Sequence, residues 1–196
     1  MSKYQIKYND IPNTDIDYLF PYLLNLHGDF LKPIGQSHYR SLAYLSTLFN
    51  NKLIVELGTR AGTGTLALSH NQTNKVITYD IKDFVKGRIS RPNIEFRIEN
   101  ILTSDEKMKI LLGAELVFLD VDPHNSVQEQ VVSNYLINNN YKGTLLCDDI
   151  SIPKKYPEMI RWWNSIPITK YDLTEIGYKS HGLGLVDFNN NIEIVK

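Results

Sequence analysis

Short apolar runs alternate along this chain with longer stretches in which apolar positions recur every three or four residues. That is the pattern of strands buried on both faces and of helices packed against them. The runs predict strands at 53–57, 76–80, 94–98, 115–121 and 143–148, then a closing pair at 168–173 and 183–188. Helical periodicity predicts helices at 37–49, 62–69, 104–112, 126–138 and 155–164, the last with Met159, Ile160, Trp162 and Trp163 on a core face. Such alternation implies an α/β fold with a mostly parallel seven-stranded sheet and helices on both faces. The nine residues 174–182, two of them glycine, leave no room for a crossover helix, so the closing pair is expected to run antiparallel. Asn138-Asn139-Asn140 and Asn189-Asn190-Asn191 read as turns, where asparagine tolerates positive φ. One domain is expected over 1–196: a helical cap at 1–50, with Tyr18, Phe20, Tyr22, Leu23, Leu24 and Leu26, and a core at 51–196.

The chemistry starts where the first core strand turns into a helix, Leu53-Ile54-Val55-Glu56-Leu57-Gly58-Thr59-Arg60-Ala61-Gly62-Thr63-Gly64, with Asp80 closing the next strand sixteen residues later. A strand turning through glycines into a helix exposes bare backbone N–H groups to a ligand, and an acid at the next strand tip accepts both hydroxyls of a ribose. Glu56, just ahead of Gly58, would repel a pyrophosphate and suit a cofactor carrying an ammonium and a sulfonium. The spacing acid-x-Gly-x-x-x-Gly of Glu56, Gly58 and Gly62 resembles motif I of the class I S-adenosylmethionine-dependent methyltransferases. The resemblance implies the Rossmann-like fold of that family and S-adenosylmethionine held by Glu56, Gly58, Thr59, Gly62, Asp80 and Asp120, with Asn100 against adenine where the family commonly has Asp. An antiparallel closing pair also separates that family from dinucleotide folds. Gly62-x-Gly64-x-x-Ala67 is a loose dinucleotide fingerprint, which leaves an NAD(P)-dependent oxidoreductase as a second reading. A non-catalytic cofactor-binding module is a third, against which the intact acids Glu56, Asp80 and Asp120 count.

A second constellation follows. Strand four runs into Leu119-Asp120-Val121-Asp122-Pro123-His124, and strand five ends Leu146-Cys147-Asp148-Asp149. Ligands collect beyond the carboxyl ends of parallel strands, so these acids converge on one site. Their mutual repulsion calls for protons or a cation, and carboxylate oxygens suit Mg²⁺ or Mn²⁺. From about residue 36 onward the chain resembles the metal-dependent O-methyltransferases acting on catechols, caffeoyl esters and some sugars. That implies methyl transfer to a hydroxyl oxygen of a small molecule or glycan. Asp120, Asp148 and Asp149 would be the metal ligands, and His124 with Asp120 the catalytic residues. Catechol-type enzymes carry Asn where this chain has Asp149; the second acid, with His124, tilts the reading toward a sugar or other polyol. Read locally, Pro123-His124-Asn125-Ser126 is also a turn whose Asn125 or Ser126 caps the next helix, and Asp149 could cap a turn.

Composition narrows the partners. With 196 residues, 42% hydrophobic and 22% charged, the chain fits a single globular core. A net charge of -1 and a pI near 6.5 give no basic footprint for nucleic acid. The one cysteine, Cys147, reads as a buried core thiol. Met1-Ser2-Lys3-Tyr4-Gln5 lacks the apolar core of a signal peptide, and no run reaches membrane-spanning length, so a cytoplasmic location is expected; a homodimer stays open. His38 reads as a surface or capping residue and His181 as part of a hairpin loop. Arg161, Trp162 and Trp163 read as helix and core positions rather than a sugar platform, and Arg60 as either solvated or on the cofactor carboxylate.

Overall fold

The computed structural model describes residues 3–23, 33–151, 156–176 and 181–196. In chain order its elements are β1 (Tyr4–Lys7), α1 (Phe20–Leu23), α2 (Pro33–Thr47), β2 (Leu53–Leu57), α3 (Thr63–Leu68), β3 (Lys75–Asp80), β4 (Ile94–Ile98), α4 (Asp105–Met108), β5 (Leu116–Leu119), α5 (Val127–Asn138), β6 (Thr144–Asp148), α6 (Pro157–Ser165), β7 (Lys170–Asp172), β8 (Leu183–Asp187) and β9 (Ile192–Val195). Seven strands form one sheet in the order β4-β3-β2-β5-β6-β8-β7. The first five are mutually parallel, and β8 runs antiparallel to both β6 and β7. The predicted architecture and its antiparallel closing pair are both present.

Period-two alternation in β2 sorts side chains to opposite faces. Ile54 joins Leu42, Phe49, Leu66 and Phe118 beneath α2 and α3, whereas Val55 and Leu57 join Leu119, Val132, Leu136 and Trp162 beneath α5 and α6. Glu56 falls on the α3 face and is buried there, beside Thr78 and Phe118 in register. Met159, Trp162 and Trp163 are core as expected, with Trp162 Nε1 donating to Ser133 Oγ at 3.1 Å.

Four expectations need correction. The cap opens with a strand: β1 pairs in parallel with β9 in a separate two-stranded sheet that joins the two ends of the chain, with Ile6 and Ile192 buried. Four-residue strands so far apart in sequence leave no local signal. The strand expected over 115–121 stops at Leu119 as the chain turns toward Pro123, although the Asp120 N–H still bonds the Leu57 carbonyl at 2.9 Å. The helix expected at 104–112 is only α4, continued by a 3₁₀ turn over Lys109–Gly113. Its buried Met108 and Leu111 stand three apart, the period that a 3₁₀ turn aligns. The last predicted helix begins at Pro157, which needs no N–H partner in a first turn; Lys155 lies outside the described residues. Of the predicted cap, Leu24 and Leu26 also lie outside them.

Candidate active site

The glycine loop leaves β2 at Gly58, whose φ is +99°, and its N–H bonds the Tyr79 carbonyl at 2.9 Å. A Cβ at Gly58 would stand 1.7 Å from the Asp120 carbonyl oxygen, so glycine is needed for the loop to lie against the end of β5. Gly62, at φ +82°, caps α3 in the left-handed region, and a Cβ there would meet Ile89 Cδ1 at 2.6 Å. Both glycines thus have packing reasons independent of any ligand.

Asp80 closes β3 and ties the loop to it: Oδ2 accepts from the Arg60 N–H at 2.7 Å and Oδ1 from the Lys82 N–H at 3.1 Å. Each carboxylate oxygen has a second lone pair for another donor. Glu56 lies deeper. Its Oε2 accepts from Thr78 Oγ1 at 2.6 Å and from Thr65 Oγ1, and Thr78 Oγ1 in turn meets Thr59 Oγ1 at 2.5 Å. Burial pushes the Glu56 carboxyl up to about 8; the two hydroxyls oppose the shift, and the charges of Asp120 and Asp80 add to it. Thr65 and Thr78 were not singled out in the sequence, because nothing local pairs a helix threonine with a strand acid.

Two cavities meet at the carboxyl edge of the sheet. The larger, about 670 Å³, is lined by Tyr79, Asp80, Ile81, Phe84, Asn100 and Leu102, among others. The smaller, about 330 Å³, takes in His38, Tyr39, Glu56, Thr59, Phe118, Asp148, Asp149, Tyr156 and His181. Gly58, Arg60, Ala61, Asp120, Asp122 and His124 border both. Of the sequence-predicted residues only Gly62 borders neither; its place is under the loop.

Asp120, Asp122, Asp148 and Asp149 all line the smaller cavity. His124 Nε2 lies 2.9 Å from Asp149 Oδ2 and 3.2 Å from Asp122 Oδ1, and its ring tilts against Tyr156 at 5.1 Å. Burial acts to lower the His124 pKa, but the hydrogen bond and charge of Asp149, followed by the charges of Asp120 and Asp122, leave it raised. Burial likewise lifts Asp120 to about 6, with His124 opposing and Asp149 and Asp122 reinforcing. Asp148, held well above its ordinary range by burial and by the charges of Asp120 and Asp149, has its Oδ1 buried with no hydrogen-bond partner. Asp149 occupies the left-handed region at φ +60°. The turn reading also holds: Asn125 Oδ1 accepts from the Val127 N–H at 3.1 Å at the start of α5. Among the described residues, no three His, Cys, Asp or Glu side chains are arranged as ligands of a single ion.

Two placements depart from the sequence reading, and one buried acid was not singled out in it. His38 is 7% exposed, not a surface residue; burial drives its pKa down to about 4 against the charge of Asp149, and its ring meets Tyr39 edge-on at 5.1 Å. His181 borders the smaller cavity, and its carbonyl accepts from the Ser151 N–H at 2.8 Å; residues 177–180 of that loop lie outside the described residues. Glu129, in the first turn of α5, is buried with both carboxylate oxygens unpartnered, and burial lifts it to about 6. Asn100 is exposed and spends Oδ1 on the Leu102 N–H at 3.0 Å. Cys147 is the buried free thiol expected, pushed up by burial. Arg161 is exposed and pairs with Glu158 at 2.8 Å. No described helix is long and apolar enough to cross a membrane.

The strand order, the antiparallel β8, the glycine loop after β2 and the acid closing β3 together define a class I methyltransferase fold. No protein-family model and no curated protein matches the sequence. Among solved structures, the chain is similar to the TDP-rhamnose 3'-O-methyltransferase CalS11 of calicheamicin biosynthesis (TM-score 0.57, 12% identity, covering 93% of this chain and 92% of that one). It is also similar to the O-methyltransferase TomG from Streptomyces achromogenes, solved with S-adenosylmethionine (0.54, 15%, 88% and 95%), and to the S-adenosylhomocysteine-bound methyltransferase PaMTH1 of Podospora anserina (0.56, 10%, 85% and 91%). At these identities the likeness is one of fold.

Proposed function

We propose that this chain transfers the methyl group of S-adenosylmethionine to a hydroxyl oxygen of a small molecule or sugar. The observation that carries this reading is the meeting of two cavities at Gly58, Asp120 and His124, one ending on Asp80 and the other on the acid cluster. A cofactor laid across that seam would put its ribose on Asp80 and its sulfonium at the edge of the smaller cavity. Catalysis is then chiefly alignment of acceptor oxygen, methyl carbon and sulfur, which makes the displacement effectively unimolecular. His124 stands on the shared wall to hold the proton that the hydroxyl gives up, because Asp149 and Asp122 stabilise its charged form.

The chemistry of the acid cluster is that of a divalent-cation site, although its side chains are not arranged around a single ion in this structure. Asp120, Asp148 and Asp149 supply hard oxygen ligands, and the buried unpartnered Oδ1 of Asp148 is an acceptor that a cation would satisfy. Mg²⁺ or Mn²⁺ held by these three would acidify and orient the acceptor hydroxyl. The likeness to a rhamnose O-methyltransferase and the acid at position 149 favour a sugar-like acceptor.

Calorimetry with S-adenosylhomocysteine, NAD and NADP, followed by transfer of labelled methyl to panels of sugars and catechols, tests the proposal. Binding of S-adenosylhomocysteine together with a labelled product is the expected result. Binding of NAD alone would point to an oxidoreductase, and cofactor binding without transfer across both panels to a non-catalytic module.

A further inference from the structure

We infer that Gln128 reads the 6-amino group of the cofactor's adenine. The inference rests on the cofactor reading above and assigns a residue that the sequence pattern did not single out.

Gln128 is the second residue of α5 and borders the larger cavity, the same one that Asp80, Ile81, Phe84, Asn100 and Leu102 border. Ile81 and Phe84 stay 65% and 46% exposed, so this cavity presents large apolar side chains to a ligand able to cover them, as a purine ring does. The resemblance places the polar contact to adenine at Asn100, yet the Asn100 oxygen already accepts from the Leu102 N–H at 3.0 Å, capping the turn over Ile101–Thr103. One of the two lone pairs of the Asn100 oxygen is thus taken, whereas Gln128 Oε1 is buried and accepts no hydrogen bond, and rotation of its amide about the last side-chain torsion would turn that oxygen into the cavity. A buried acceptor without a donor is costly, and a ligand that brings a donor removes the cost.

Adenine carries such a donor. Its 6-amino group projects from one ring edge with acceptor nitrogens on either side, and a glutamine amide matches that edge by accepting from N6 while donating to a ring nitrogen. Base reading thereby shifts from the turn after β4 to the first turn of α5, one residue before the buried Glu129 and four after His124. The helix that follows the shared wall would then hold the far end of the cofactor as well.

The test compares S-adenosylhomocysteine with its analogue whose purine lacks the 6-amino group, by calorimetry on the wild-type protein, Gln128→Leu and Gln128→Glu. The wild type should prefer S-adenosylhomocysteine by about tenfold, the worth of one good hydrogen bond. Gln128→Leu should bind both ligands within about threefold of each other, at the wild-type affinity for the analogue. Gln128→Glu keeps an acceptor oxygen and should keep the preference; circular-dichroism melting checks that each variant is folded. A folded Gln128→Leu that retains the tenfold preference overturns the assignment while leaving the cofactor reading intact. A wild type that binds neither ligand removes the cofactor reading itself, and this inference with it.

Discussion

The Glu56 carboxylate accepts the Thr78 hydroxyl at 2.6 Å across the β2–β3 pairing that sets the two residues side by side. Together with Thr65 and Thr59 this makes a buried chain of hydroxyls around one acid, linking the glycine loop, α3 and β3. The carboxyl is costly to ionise there, because burial outweighs its hydroxyl donors.

A pH dependence of stability follows from that chain. The Glu56 carboxyl titrates near 4.5 when solvated and near 8 in the fold, so between those values the unfolded chain has lost the proton that the native protein keeps. Stability rises with pH where the unfolded state binds more protons; here it binds fewer, so the Glu56 contribution falls as pH rises from about 4.5 to about 8. The slope is at most about 1.4 kcal/mol per pH unit. His38 acts in the opposite sense below about pH 6.5, since its folded pKa is lowered to about 4, so the comparison must be differential. Urea melts of wild type and Glu56→Gln across this range should show the gap narrowing or reversing in favour of the variant toward pH 8. A pH-independent gap would mean that Glu56 ionises freely in the fold.

Asp80 tests the cofactor end. Hydrogen bonds to a charged acceptor contribute about 1.5–3 kcal/mol each, so Asp80→Ala should weaken S-adenosylhomocysteine at least about tenfold by calorimetry. Asp80→Asn retains one acceptor oxygen for the Arg60 or Lys82 N–H and should lose less. Unchanged affinity in Asp80→Ala would move the ribose away from β3.

Glycine demand differs between two loops. Gly58→Ala drives a Cβ to 1.7 Å from the Asp120 carbonyl oxygen at φ +99°, whereas Gly87, at φ +69°, has nothing within 4 Å of its Cβ position. Gly87→Ala should cost about 1–2 kcal/mol, the conformational penalty alone, and Gly58→Ala more than about 3 kcal/mol, with overpacking added. Chemical denaturation of the two variants measures the difference, and equal costs would show that the loop yields without strain.

The residues that were legible in the sequence and those that were not divide along physical lines. The Leu53–Leu57 strand and the acids Asp80, Asp120 and Asp148 could be read because a strand buried on both faces is continuously apolar and an acid at its tip stands out. The antiparallel β8 then follows from a connection too short for a crossover helix, whereas the order of the strands has no such local signal. His38 was misplaced because one histidine in an amphipathic helix looks the same whether it faces water or a cavity. Glu129 was missed for a related reason: an acid in a first helical turn has a local electrostatic explanation, which hides its burial. Thr78 became a partner of Glu56 only through strand register, and β1 met β9 only through closure of the whole chain, neither of which leaves a short-range pattern.

The acid cluster makes predictions of opposite sign with and without a cation. In the presence of chelator, Asp148→Asn should melt at or above the wild-type temperature, since it replaces a buried carboxyl beside Asp120 and Asp149 with a neutral amide. On addition of Mg²⁺ the order should reverse. An ion that binds only the folded state stabilises it by RT ln(1 + [L]/Kd), about 2.7 kcal/mol at a hundred times Kd, and the variant has lost one ligand for that ion. Labelled-methyl transfer should stop in EDTA while S-adenosylhomocysteine still binds, because Asp80, proposed to hold its ribose, is not one of the three proposed ligands. A wild type that gains no melting temperature from Mg²⁺ or Mn²⁺ and keeps full turnover in EDTA would show instead that protons on Asp120 and Asp148, with a charged His124, balance the cluster. The reaction would then proceed without a metal, and Asp148→Asn would be expected to leave the rate nearly unchanged.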